Sequence, residues 1–363
     1  MKKTLKRTLS TLLILGAIAL IYSCMPRVWY KKSAYGTEML RADLLPKVTH
    51  DRLEKYIQDT AQNAQAVVVI QDEKIILEVG KTQKLINCHS ARKSIMSLLI
   101  GIAKEKGLLN LDETLAQLGI DESKTPLTAQ EKTATIRDLL MAKSGVYLQA
   151  EAETDFAKAN RPKRGQYKPG EFFFYNNFDF NVLGTILEKK SGKSIGAFME
   201  EYLAKPLGMQ DFAASNVIYG NPWPVRSDKS DHRVYWMYIS ARDFARIGAM
   251  VAQKGVWNKT QVVSADWIEE SLKPYTPEVP KNMRPFDAYG YLWWLDNDNN
   301  TAWADGYGGQ FLMIDTARNL VLSQRNFTGN SLISSGFFMM KKKKDGFRDQ
   351  LMYVYENIKA FIK

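Results

Sequence analysis

Histidine and cysteine are the scarcest chemistry-bearing residues of this chain, with three histidines and two cysteines among 363 residues. His50, His89 and His232 stand far apart, without the partner spacing that zinc requires. No metal and no cofactor are therefore expected. Cys24 and Cys88 are too few for a disulfide framework. Cys88 lies two residues before Ser90, where it reads as a small apolar packing residue at a strand-to-helix corner rather than as a nucleophile. The chain also lacks internal repeats and any basic run interleaved with aromatics, so a nucleic-acid groove is not indicated. Its formal charge of +11 is concentrated. Four cations fall in the first seven residues and four in Lys341-Lys342-Lys343-Lys344, leaving +3 for the rest. The lysine run reads as a solvated turn before the last helix, with attraction to anionic lipid headgroups as the other reading.

What is present suits a large core, since 45% of residues are hydrophobic and 11% aromatic. At the N-terminus, Lys2, Lys3, Lys6 and Arg7 precede an uncharged, mostly apolar run from Thr8 to Met25. That pattern reads as an export signal, close to the shortest run that spans a bilayer. Ile21-Tyr22-Ser23-Cys24 resembles a bacterial lipoprotein cleavage site, with Cys24 as the residue that carries lipid. Tyr22 replaces the small residue usual there, so an uncleaved anchor and simple secretion stay open. All three readings place the rest of the chain outside the cytoplasm, in the cell envelope.

Residues 25–46 show no clear period and are expected to strap across the body. The apolar spacing of Leu53, Tyr56, Ile57 and Ala61 predicts an amphipathic helix over 48–64. Ala66–Ile70 and Lys74–Gly80 read as two strands around a polar turn, and their continuous apolar runs argue for a sheet covered on both faces. From 108 to 234 the pattern is helical and loop-rich, with Thr135 as an N-cap and Gly192 closing a helix over 179–188. Sheet chemistry returns at 235. Ser240 caps a helix, and Tyr289–Trp294, Gln310–Asp315 and Leu320–Gln324 read as three adjacent antiparallel strands before a last helix over 347–361. The expected fold class is α/β (α+β), an antiparallel sheet flanked by terminal helices. One lobe is built from 47–107 and 235–363, a helical lobe of 108–234 is inserted, and a cleft between them is a common place for a site.

Ser90-Ala91-Arg92-Lys93 opens a strongly apolar helix, and Ser90 and Lys93 lie one turn apart on one side of it. A serine hydroxyl needs a neighbouring base, and a lysine serves only when burial and nearby cations lower its pKa from about 10.4. Further along come Tyr175-Asn176-Asn177, after Pro169-Gly170-Glu171, and Ala304-Asp305-Gly306-Tyr307-Gly308-Gly309-Gln310. In this order and at these separations, the three stretches resemble the signature of the serine β-lactamase and penicillin-binding protein superfamily. The pattern is nearest to the class C β-lactamase-related branch, which includes esterases, D-amino-acid peptidases and 6-aminohexanoate-dimer hydrolase. Ile136–Gly145, Ser240–Gly248 and Tyr289–Trp294 extend the resemblance over roughly residues 65 to 330.

The resemblance implies an acyl-enzyme on Ser90, with Tyr175 as proton donor and later base, provided Lys93 holds its phenol close to ionisation. Asn177 would orient Lys93 and bond a substrate amide. The third motif would lie on an edge strand facing Ser90, where the backbone N–H groups of Ser90 and Tyr307 form the oxyanion hole. Gly306 would allow close approach of the substrate, and Asp305 and Gln310 would face it. Where relatives carry Lys-Thr-Gly to grip a carboxylate, this chain carries Ala304-Asp305-Gly306. An anion there argues against penicillins and favours a small neutral or cationic ester, amide or peptide. Glu171 reads as a surface turn residue, and Trp293-Trp294 as sheet core more than pocket wall. Two alternatives stay open: a non-catalytic envelope binding protein retaining the fold, and a D-peptidase or β-lactamase acting on cell-wall peptides.

Overall fold

The computed structural model of the protein describes residues 14–29, 31–59, 65–220, 230–280, 286–331, 333–335 and 347–362. The basic cluster at 2–7, the lysine run at 341–344 and the end of the first expected helix at 60–64 lie outside them.

Helix α1 (Lys47–Asp59) buries Leu53 and Ile57, as its spacing predicts. Strands β1 (Ala66–Gln71) and β2 (Lys74–Gly80) form a hairpin whose two central residues, Asp72 and Glu73, both take positive φ. That backbone matches the right-handed twist of the flanking strands. After β3 (Ile86–Asn87) come α2 (Arg92–Glu105), α3 (Ile136–Leu140) and α4 (Asn177–Ser191). Thr135 caps α3 with a reciprocal bond to Asp138, and Gly192 ends α4 in the left-handed conformation. Strands β4 (Val217–Tyr219) and β5 (Tyr235–Ile239) pair with each other, and β3 joins β5, making a small three-stranded sheet. Helix α5 (Ala241–Ala252), capped by Ser240, leads to a small hairpin of β6 (Val256–Trp257) and β7 (Thr260–Gln261).

The main sheet is completed by β8 (Ala288–Tyr289), β9 (Trp294–Asp296), β10 (Thr301–Gly306), β11 (Gln310–Asp315) and β12 (Leu320–Arg325), followed by helix α6 (Phe347–Lys359). Its order is β2-β1-β12-β11-β10-β9-β8, every pair antiparallel. Pairing of Ala66 with Arg325 joins the early hairpin to the late strands of the sequence within one sheet. Strands β1, β11 and β12 are buried at every residue. Alternation explains this. Val321 of β12 meets Gly248 of α5, whose missing side chain lets the helix sit close, while Gln324 on the opposite face bonds the Phe347 carbonyl of α6.

The expected strand over Tyr289–Trp294 is not formed as one piece. Leu292 takes a φ of 62°, its N–H bonds the Leu140 carbonyl and its own carbonyl accepts the Ser94 hydroxyl, so tertiary partners break the strand into β8 and β9. The neighbour of β11 is then β10. Nor is β10 a simple edge strand: Thr301–Trp303 pair with β9, whereas Ala304–Gly306 pair only with β11 and leave their other side toward the Ser90 turn.

Backbone bonds tie residues 27–29 and 31–42 to several elements. The Arg27 N–H bonds Asn330, Ser33 bonds Gln210, Thr37 bonds Gly208, and Leu40 and Ala42 bracket Ile75. Residues 14–24 are helical with exposed apolar side chains; among the described residues no helix is long and apolar enough to cross a membrane.

Candidate active site

Strand β3 delivers the chain to a single 3-10 turn, His89–Ala91, that carries Ser90. The residue before the serine, His89, has a φ of 46°, an uncommon conformation for a non-glycine residue. Four contacts hold it there. Its N–H donates to Asn87 Oδ1 at 2.9 Å, its carbonyl accepts Arg92 Nη1 at 2.9 Å, its Nε2 pairs with Thr328 Oγ1 at 2.7 Å, and its ring meets Tyr307 edge-on at 5.6 Å. Burial, then Arg92, Arg325, Lys93 and Arg27, push the imidazole down to about 3. At neutral pH it is an uncharged prop.

Every residue of α2 from Arg92 to Ala103 is buried. The two basic residues of the motif are thus carried into the interior. Lys93 Nζ donates to Ser90 Oγ at 2.9 Å and sits over the rings of Tyr175 and Phe180 at 4.7 and 4.8 Å. Burial and then the Arg92 guanidinium hold the amine well below its ordinary range, against the opposing pull of Asp305. Arg92 rests on the faces of Tyr235 and Trp236 at 5.1 and 4.8 Å.

Tyr175 lies in the loop before α4, near enough to the Ser90 side chain to be influenced by it. Its ring packs on Phe180 and stacks on Trp294 at 5.3 Å, so Trp294 walls the site while Trp293 is core. Burial drives this phenol up, with Ser90 and Arg92 opposing. The expectation that Lys93 brings it close to ionisation is reversed, because a near-neutral amine over the ring face exerts little pull on the hydroxyl. The loop is set by Asn176, which caps α4 and bonds Val146 and the buried Asp179; Asp179 also accepts Ser144 Oγ at 2.6 Å. Asn177 does not reach Lys93: its amide donates to the Ala152 carbonyl.

The third motif is fixed by contact with the nucleophile turn. A Cβ on Gly306 would stand 2.3 Å from the Cys88 carbonyl oxygen and 3.0 Å from the Ala91 nitrogen, so glycine is what lets β10 lie against Ser90. Tyr307 follows with an exposed ring, and Gly308 and Gly309 turn the chain with φ of 77° and 80°. Asp305 carries a carboxyl that burial raises to about 6, opposed by Arg348 and Lys93. Gln310 is placed differently from expectation. It is fully buried and bonds the Asn326 backbone, pinning β11 to the end of β12 instead of facing substrate. His89, Arg92 and Asp179 also build the site, although nothing in the sequence singles them out. Their only signal was adjacency to motif residues, since their partners come from distant segments.

The arrangement sets a buried lysine against a serine hydroxyl and encloses a phenol that burial keeps protonated. A beta-lactamase profile matches residues 49–324. Protein flp of Staphylococcus aureus is 27% identical over 131 residues, which span 33% of this chain and only 26% of that protein. In fold, the chain resembles a protein described as a 6-aminohexanoate-dimer hydrolase from Bacillus anthracis, with a TM-score of 0.64, 16% identity and coverage of 93% of this chain and 92% of that one. It also resembles a family VIII carboxylesterase, with a TM-score of 0.61, 14% identity and coverage of 88% and 99%. At such identities these likenesses concern the fold, and profile and fold agree: the chain belongs to the beta-lactamase family of serine hydrolases.

Proposed function

We propose that this protein is an exported hydrolase that cleaves an ester or amide through an acyl-enzyme on Ser90, with Lys93 and Tyr175 moving the protons. The observation that carries the reading is the 2.9 Å contact between Lys93 Nζ and Ser90 Oγ at a lysine wholly enclosed and next to Arg92. A neutral amine there takes the hydroxyl proton as Oγ bonds the carbonyl carbon. The oxyanion is received by the Ser90 and Tyr307 amides, each such donor being worth about 3 kcal/mol of barrier. Tyr175, kept protonated by burial, gives its proton to the departing alcohol or amine. Water then attacks the acyl-enzyme, returning a proton to Tyr175, while Ser90 leaves with the proton held on Lys93.

A fluorophosphonate probe tests this. Wild-type protein is expected to be labelled and Ser90→Ala unlabelled; persistent labelling of the variant removes Ser90 as nucleophile. The envelope location is part of the same proposal, supported by the exposed helix at 14–24 ending on an exposed Cys24. Metabolic labelling with a palmitate analogue, lost in Cys24→Ser, checks the lipid tether.

A further inference from the structure

We infer that Asp305 is the recognition point for a substrate ammonium, so that the hydrolase acts on esters or amides carrying a free amine. This rests on the serine-hydrolase reading above and names its substrate class. Three observations carry it.

The first is position. Asp305 precedes Gly306, the residue in closest contact with the Cys88–Ala91 turn, and its charge is felt by both Lys93 and Tyr175. It therefore lies beside the nucleophile turn, within electrostatic reach of the lysine and the phenol near Ser90.

The second is that this carboxylate has no partner among the described residues. It is enclosed by protein on nearly all sides, remains reachable from solvent, and makes no hydrogen bond or ion pair with them. Other enclosed carboxylates are served. Asp179 accepts Ser144 and Asn176, Asp243 accepts the Gln210 and Asp211 amides, Asp211 accepts Arg242, and Asp315 accepts Arg318 and Tyr355. Leaving a buried carboxylate unserved is costly, and a donor arriving with the ligand removes that cost.

The third is the balance of nearby charge. The cations facing Asp305 are Arg348 of α6 and Lys93 of α2. Arg348 bonds Asp296 through Nη2 at 2.8 Å and lies over Phe286 and Trp303 at 4.8 Å each. Lys93 is held toward its neutral form and bonds Ser90. Neither cation is bonded to Asp305, whose carboxylate is left to be met by a donor from outside. An ammonium supplies both opposite charge and N–H donors, whereas a carboxylate is repelled.

The test uses matched p-nitrophenyl esters of straight-chain acids ending in ammonium, methyl or carboxylate. A second matched set carries the ammonium or methyl on the alcohol side, with the alcohol itself as the measured product. Wild type is expected to favour one ammonium ester over its methyl isostere by about tenfold or more in kcat/KM, the gain typical of a charge-assisted hydrogen bond. Asp305→Asn should bring that ratio to near one, and Asp305→Glu should restore part of it. Equal turnover of the ammonium and methyl esters, preference for carboxylate, or a preference that survives in Asp305→Asn overturns the proposal. Calorimetry reads the same preference without turnover: the ammonium member of a matched amide pair should bind Ser90→Ala more tightly, and Ser90→Ala/Asp305→Asn should bind both alike. Failure of fluorophosphonate to label wild type would instead overturn the hydrolase reading, with the calorimetric ratio still deciding the ammonium site.

Discussion

Tyr175 and Asp305 show how burial sets chemistry one side chain at a time. Both are enclosed, and both are pushed toward their uncharged forms. For Tyr175 the consequence is a phenol that keeps its proton, as the proposed leaving-group donor must. Tyr175→Phe is expected to lower ester turnover by about 100-fold or more, the usual worth of a positioned acid. Fluorophosphonate labelling should fall far less, because fluoride departs without a proton. Equal losses in the two assays would count against Tyr175 as the donor. For Asp305 the consequence is a pH-dependent stability penalty. Its native pKa of about 6 lies above the ordinary 3.8, so the folded state disfavours the ionised form. The penalty is absent below pH 3.8, grows between the two values and is complete above 6. Asp305→Asn should therefore stabilise the protein by about 1–3 kcal/mol at about pH 8 and by much less at about pH 4.5, read from urea unfolding at each pH.

At the scale of elements, the site depends on how closely β10 and the nucleophile turn approach. Gly306 touches the Cys88 carbonyl, and His89 is held in a left-handed conformation by Asn87, Arg92 and Thr328. Gly306→Ala must push the strand end away, shifting the Tyr307 amide from the Ser90 amide. Ester turnover at saturating substrate is expected to fall by about 100-fold or more, as for removal of an oxyanion donor, with KM changed little and circular dichroism unaltered. His89→Val places a β-branched residue at positive φ and should cost about 1–3 kcal/mol of stability. His89→Gly accepts the backbone but loses the ring contacts with Thr328 and Tyr307. It should therefore lose activity with less loss of stability, a split that differential scanning calorimetry and ester kinetics resolve.

For the whole molecule, the decisive contacts join segments far apart in sequence. Arg325 at the end of β12 is fully buried. It donates to Cys88 Sγ at 3.3 Å and to the Ile86 carbonyl at 2.7 Å, and lies over Phe244 of α5 at 4.8 Å. One side chain thus ties the central sheet, the small sheet and a covering helix behind the nucleophile. Arg325→Ala is expected to destabilise the fold by about 2–4 kcal/mol in chemical denaturation, as for loss of a buried charge-assisted network.

Much was legible in the chain before folding. Ser90, Lys93, Tyr175 and the glycine-rich stretch at 306–309 could be picked out because their chemistry is local: residue type, a one-turn spacing and a fixed order along the chain. Thr135, Ser240 and Gly192 were legible as helix ends for the same reason, since capping involves only three or four neighbouring residues. What was not legible required partners from elsewhere. Tyr289–Trp294 has strand composition, yet bonds from Leu140 and Ser94 break it. Asn177 and Gln310 have the residue types of substrate ligands, yet backbone carbonyls at Ala152 and Asn326 occupy their amides. The sequence by itself singled out Ser90 and Lys93 as candidate nucleophile and base and indicated the covered antiparallel sheet, because periodicity and short-range spacing are properties of the chain. Only the tertiary structure decided the directions in which Lys93 and Tyr175 are shifted and left Asp305 without a bonded partner among the described residues, because burial and through-space charge depend on which distant segments close around a group.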